Sequence, residues 1–68
     1  MKELDVRGLS CPEPVLILQK ALDEDSSEIY KVLASEAHVV KNITHFANSK
    51  GKKVSVKEVD DEYEIMVE

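Results

Sequence analysis

The sequence predicts an α+β two-layer sandwich, with elements in the order β-α-β-α-β-β and both helices covering one face of a four-stranded sheet. Three observations carry this: two segments with apolar residues at helical spacing, two C-terminal segments in strict alternation, and short connections. Leu4 and Val6 alternate with polar residues before Gly8 and read as the first strand. Residues 12–22 read as a helix, with Val15, Leu18 and Leu22 on one stripe and Asp23-Glu24-Asp25-Ser26-Ser27 as its polar exit. Residues 29–34, apolar apart from Lys31, read as a central strand. Residues 37–49 form a second helix with Val39, Ile43, Phe46 and Ala47 inward, and Gly51 stops it. Residues 53–59 and 63–67 set Val54 and Val56 against Tyr63, Ile65 and Val67, joined by Asp60-Asp61-Glu62 as a hairpin turn. Right-handed crossovers place both helices on the same face.

At 68 residues, the chain can bury only about 60% of its unfolded surface, so its chemistry has to happen at the surface rather than in an enclosed chamber. One domain spanning residues 1–68 is expected, with no internal repeat or low-complexity linker. No apolar run approaches a membrane span and no signal-peptide pattern opens the chain, so a cytoplasmic location is expected and no membrane partner. The net charge of −5 argues against direct nucleic-acid binding, which calls for basic patches. Charge is uneven: residues 37–57 hold Lys41, Lys50, Lys52, Lys53 and Lys57 with no acid, whereas residues 58–68 hold six acids and no base. Solvated faces account for both runs, with a lysine patch that steers an acidic partner as the alternative.

The chemistry concentrates at Asp5-Val6-Arg7-Gly8-Leu9-Ser10-Cys11-Pro12-Glu13-Pro14, which holds the only cysteine. A proline inside a helix costs about 3 kcal/mol, but the first turn has no intrahelical bond to lose. Cys11 is therefore the expected N-cap, with Pro12 the first helical residue and Pro14 the third. Free N–H groups and the helix dipole favour a thiolate there. The prolines delete two donors, leaving chiefly the N–H groups of Cys11 and Glu13, and Glu13 adds negative charge. A modestly acidified, exposed thiol follows, with Arg7 as the nearby cation. The plain alternative is a small buried cysteine, which the polar neighbours Ser10 and Glu13 disfavour. A single free thiol also suits a reducing compartment.

Asp5, Arg7, Gly8, Leu9, Cys11, Pro12 and Pro14 resemble the signature of the TusA/SirA-like sulfur-carrier family, marked by Cys-Pro-x-Pro at the start of the first helix. The resemblance continues through Val15-Leu16-Ile17-Leu18 to Lys20-Ala21-Leu22 and suits nearly the whole chain. It implies a mixed sheet whose last strand runs antiparallel. The segment from Lys41 to Gly51 looks like the second helix of the YedF branch, whose members commonly carry a second domain. In the tRNA-thiolation branch an Asp-Pro pair and a second cysteine are expected where this chain has Ser35-Glu36 and Ala47.

Other constellations are weaker. His38 and His45 are seven apart on one helix, a poor spacing for metal ligation, and ordinary surface histidines are the better reading. Tyr30 and Tyr63 are read as packing, and Phe46 as core. No histidine lies near Cys11 in sequence to act as a general base, and no glycine-rich phosphate loop exists. These absences suggest a carrier rather than a multiple-turnover enzyme. The resemblance implies that Cys11 takes sulfur as a persulfide from a cysteine desulfurase and hands it to an acceptor protein in a tRNA-thiolation, molybdenum-cofactor or selenium-related pathway. The residues placed around it are Arg7, Gly8, Pro12, Glu13 and Pro14. Asp5 and Gly8 shape the loop, Gly8 by positive φ, and Arg7 either anchors the loop or pairs with the thiolate. No cofactor and no metal are expected. The rival is a non-catalytic interaction or regulatory domain with a redox-sensitive or structural cysteine. A thiol-disulfide reductase lacks a resolving cysteine. Charged residues on the uncovered sheet face favour a monomer.

Overall fold

The computed structural model describes residues 1–10 and 12–68. Its elements are β1 (Lys2–Asp5), α1 (Glu13–Glu24), β2 (Tyr30–Ala34), α2 (Ala37–Ser49), β3 (Val54–Val59) and β4 (Glu62–Val67). They follow the expected order. In space the sheet runs β1-β2-β4-β3, with β1 parallel to β2 and β4 antiparallel to both β2 and β3. The last strand therefore lies inside the sheet and β3 lies at its edge.

Register explains the core. Tyr30 pairs with Val67, Val32 with Ile65 and Ala34 with Tyr63, so these residues share one face. Tyr30, Val32, Ala34, Ile65 and Val67 are buried, and Leu18 and Leu22 of α1 and Val39, Ile43 and Ala47 of α2 complete the same cluster. Both helices thus cover that face. The opposite face carries Lys31, Leu33, Glu64 and Met66, with Lys31 Nζ 3.5 Å from a Glu64 carboxylate oxygen. An ion pair of that kind, with both side chains about a quarter exposed, adds little stability, but it puts charge on that face.

The helices depart from expectation at their ends and edges. α1 begins at Glu13, with Pro12 in the capping position and Pro14 at the second helical residue. It continues to Glu24, beyond the expected end, and the Asp25 N–H donates to the Ala21 carbonyl at 2.9 Å. Pro14 is buried and Val15 only half-buried, so the core stripe of α1 is Pro14, Leu18 and Leu22. Phe46, read as core, is half-buried at its margin. Tyr30 is only 2% exposed. Its hydroxyl donates between the carbonyls of Ala21 (2.8 Å) and Asp25 (2.9 Å), closing the end of α1, and burial raises its pKa.

Two turns follow from backbone chemistry. After α2 the chain takes φ 75° at Gly51. The Gly51 N–H donates to Asn48 (3.0 Å) and the Lys52 N–H to Ala47 (3.0 Å), the pattern that satisfies the last helical carbonyls. The β3–β4 hairpin turns on Asp60 (φ 50°) and Asp61 (φ 67°), while Glu62 pairs with Val59 as a strand residue. The loop is thus two residues rather than three. Positive φ at both positions matches the twist of the flanking strands, and aspartate tolerates it better than most residues.

Candidate functional site

The candidate residues lie where the β1–α1 loop meets the ends of β2 and β4. Val6 extends the ladder past β1, its N–H donating to the Leu33 carbonyl at 2.9 Å, and its side chain is buried. The chain then leaves the sheet. Gly8 has φ 80°, as the sequence implies, and its N–H points at the Ser35 hydroxyl at 3.4 Å, so the β1–α1 and β2–α2 loops meet here. Leu9 closes back on the Val6 carbonyl at 3.3 Å. Cys11 itself lies outside the described residues.

Arg7 resolves toward anchoring. Its backbone N–H and Nε donate to one Asp5 carboxylate oxygen at 3.1 and 2.9 Å, and Nη2 donates to the other at 2.8 Å. Nη1 donates to Glu62 at 3.0 Å. Every side-chain nitrogen is thereby committed to a carboxylate, and the loop is tied to β4. Hydrogen bonds from Arg7 hold the Asp5 carboxyl down to about 2. The bonds to Asp5 and then Glu62 raise the guanidinium further above its already high range. The cluster of one cation and two anions offers a thiolate little net positive charge.

The helix start is also less open to an anion than the sequence suggests. Of the two donors left by the prolines, the Glu13 N–H is spent on the Ser10 carbonyl at 3.0 Å. Glu13 is exposed, and Pro14, placed among the binding residues by the motif, is buried in the core. Pro14 can therefore shape the site only through the backbone. Pro12 is exposed and does line a depression.

That depression is a cleft of about 410 Å³ between the start of α1 and the outer face of α2, lined by Pro12, Val15, Asn42, His45, Phe46 and Ser49. One wall is apolar, and Asn42, His45 and Ser49 form a polar stripe one to two turns long on α2. The Ser49 hydroxyl donates to the Phe46 carbonyl at 2.6 Å. Phe46 separates this cleft from a second one of about 340 Å³ that includes Asp23, Lys50 and Lys52. Lys50 Nζ sits 5.6 Å from the Phe46 ring centre, and Lys52 Nζ donates to the Ser26 carbonyl. Two members of the lysine run therefore gather beside the Phe46 wall, whereas Lys57 faces Glu64 across the sheet.

Nothing in the sequence marks His45. Both histidines read as ordinary surface residues, and neither is near Cys11 along the chain, yet His45 shares a cleft with Pro12, the residue bonded to Cys11. No local signal could have found it, because the two segments meet only when α1 packs on α2. His38 is elsewhere, its Nε2 3.0 Å from a Glu36 carboxylate oxygen. Among the described residues no three His, Cys, Asp or Glu side chains gather to hold a metal. No helix among them is long and apolar enough to cross a membrane.

A family model described as Sulfurtransferase TusA matches residues 2–68. The chain is 41% identical over 59 residues to a protein of Methanocaldococcus jannaschii named as a sulfur carrier, covering 85% of this chain and 79% of that one. It is 37% identical over 54 residues to the sulfur carrier protein TusA of Allochromatium vinosum, covering 78% and 71%. The crystal structure of a SirA-like protein from Desulfitobacterium hafniense superposes with a TM-score of 0.92 at 27% identity, over 98% of this chain and 95% of that one.

Proposed function

The chain belongs to the TusA sulfurtransferase family, and from that membership we propose that it is a sulfur carrier whose Cys11 accepts persulfide sulfur from a cysteine desulfurase and relays it to an acceptor protein. The observation that carries this reading is the match of the family model across residues 2–68, which includes the Cys-Pro-x-Pro motif and the loop that Arg7 and Gly8 hold. The names of the Methanocaldococcus jannaschii and Allochromatium vinosum relatives support it.

The geometry suits a carrier. The loop before α1 is anchored at Arg7 and turns at Gly8 with φ 80°, so the residues leading up to the motif are braced against the sheet. The adjoining cleft is open and shallow, fit for a partner's surface rather than for enclosing a substrate. Lysines near Phe46 and the acids of the β3–β4 hairpin give docking partners a charge pattern to read. Cytoplasmic operation as a single domain over residues 1–68, without direct nucleic-acid contact, belongs to the same proposal. So does a sulfur or selenium route of the YedF kind, which the segment 41–51 supports.

Intact-protein mass spectrometry after incubation with a cysteine desulfurase, pyridoxal phosphate and cysteine tests the proposal. The wild-type protein gains the mass of one sulfur, reversed by reductant, and Cys11→Ser gains none. Absence of the adduct with several desulfurases would leave an interaction domain as the better reading.

A further inference from the structure

We propose that β3 is a self-pairing edge, through which two copies of this chain join antiparallel about Val56 to make one continuous sheet. β1 and β3 are the two edges of the sheet. β3 pairs with β4 from Val54 and Val67 to Val59 and Glu62 without a bulge, and it contains no proline or glycine. Residues 55–58 are exposed. Val56 stands opposite the buried Ile65 on the helix side of the sheet, yet 46% of it remains in solvent. A regular, uncovered edge of this kind is a template for another strand.

The ladder fixes which backbone groups are on offer. The Glu68 N–H donates to the Lys53 carbonyl at 2.8 Å, and this pair continues the β3–β4 register by one step. Bonded and non-bonded pairs alternate along an antiparallel ladder. Lys53, Ser55, Lys57 and Val59 therefore turn their backbone groups to β4, while Val54, Val56 and Glu58 turn theirs outward.

Charge then selects the register, because like charges directly opposite each other destabilise a pair of strands. A twofold pairing centred on Lys57 sets two lysines face to face, and one centred on Glu58 sets two glutamates so. Centring on Ser55 opposes Lys53 to Lys57, centring on Val59 opposes Glu58 to Asp60, and centring on Val54 engages only the start of the strand. Centring on Val56 opposes Val56 to itself, Ser55 to Lys57 and Val54 to Glu58, with every outward backbone group of β3 paired. It also brings Lys52 opposite Asp60 of the second copy, so the basic start of β3 meets the acidic hairpin. The other edge has no such solution. In β1 every centre opposes like charges: Lys2, Glu3 or Asp5 to itself or, about Leu4, Glu3 to Asp5.

Pairing at β3 covers Val56 and leaves β1, at the opposite edge, and the loop that Arg7 anchors free for other proteins. The charges on the uncovered sheet face, the ground for expecting a monomer, oppose stacking of faces and leave the edge untouched.

Sedimentation velocity tests this, with reductant present to exclude a disulfide through Cys11. From about 10 μM to about 1 mM, the range of a weak interface, the protein should pass from monomer to dimer. Over the same range, amide exchange followed by NMR should slow about tenfold at Val54, Val56 and Glu58 and change little at Ser55 and Lys57, which already bond to β4. Ser55→Glu, facing Lys57 of the second copy, should tighten the dimer several-fold, and Ser55→Lys should loosen it by a similar factor. Val56→Pro deletes an outward N–H that the β3–β4 ladder does not use and should abolish the dimer. Ser55 is exposed and opposite Met66 in its own sheet, so its variants should keep the wild-type circular dichroism spectrum. A monomer throughout the range would overturn the proposal. So would a dimer of equal strength in Ser55→Glu and Ser55→Lys, since such a dimer pairs elsewhere.

Discussion

Arg7 and Asp5 show how one residue pair prepares a loop. The sequence marks both as part of a motif, and chain proximity makes their contact easy, since they are two residues apart. What the pair does for stability follows from the Asp5 carboxyl, held at about 2 against an ordinary 3.8. A lowered carboxylate value means that the folded state binds its proton less readily than the unfolded chain. The contribution is therefore full above about pH 4 and fades as pH falls through the interval between 3.8 and 2. Both side chains are well exposed, 41% and 50%, so the effect on the whole protein is small. Titration of Asp5 by NMR should find its midpoint near 2 in the wild type and markedly higher in Arg7→Ala. The same variant should take up sulfur several-fold more slowly, because the loop loses its tie to Glu62. An unchanged Asp5 midpoint would mean that Arg7 is not its partner in solution.

The ends of the elements were legible where backbone chemistry is local. Gly51 was expected as the stop of α2, and the structure gives it positive φ with both closing hydrogen bonds in place. A Cβ at this position would meet nothing within 4 Å, so Gly51→Ala tests backbone strain alone. It should cost about 1 kcal/mol, seen as a lower urea midpoint with unchanged slope. A midpoint equal to wild type would refute the strain argument. The start of α1 was harder to read. The expected register, with Cys11 as N-cap and Pro12 as the first helical residue, is off by one: Pro12 takes the cap and is exposed, and Pro14, the second helical residue, is buried. Phe46, expected in the core, packs against the core cluster but is only half-buried. Helical spacing places it toward the core, but it sits between the clefts at the two ends of α1, lining both.

For the molecule as a whole, stability rests on one small cluster. Ile43 is fully buried between α2 and the sheet. Ile43→Ala should cost about 2–5 kcal/mol, much of what a domain of this size has at roughly 0.05–0.15 kcal/mol per residue. Chemical denaturation should show a partly or fully unfolded variant at room temperature, and a stable Ile43→Ala would mean that the core is carried elsewhere.

The sequence by itself determined the number, kind and order of the elements, the helix stop at Gly51 and the turn at Gly8. These depend on periodicity and on backbone angles that neighbouring residues set. It also singled out Cys11 and its motif, because prolines at a helix start and a lone thiol carry their meaning locally. Only the tertiary structure decided that β4 lies between β2 and β3, that Arg7 reaches Glu62 across 55 residues of chain, and that His45 shares a cleft with Pro12. Each of these joins segments distant in sequence. Their meeting depends on how the sheet orders its strands and how α1 packs on α2, which is a property of the assembled core and not of any stretch of residues within it.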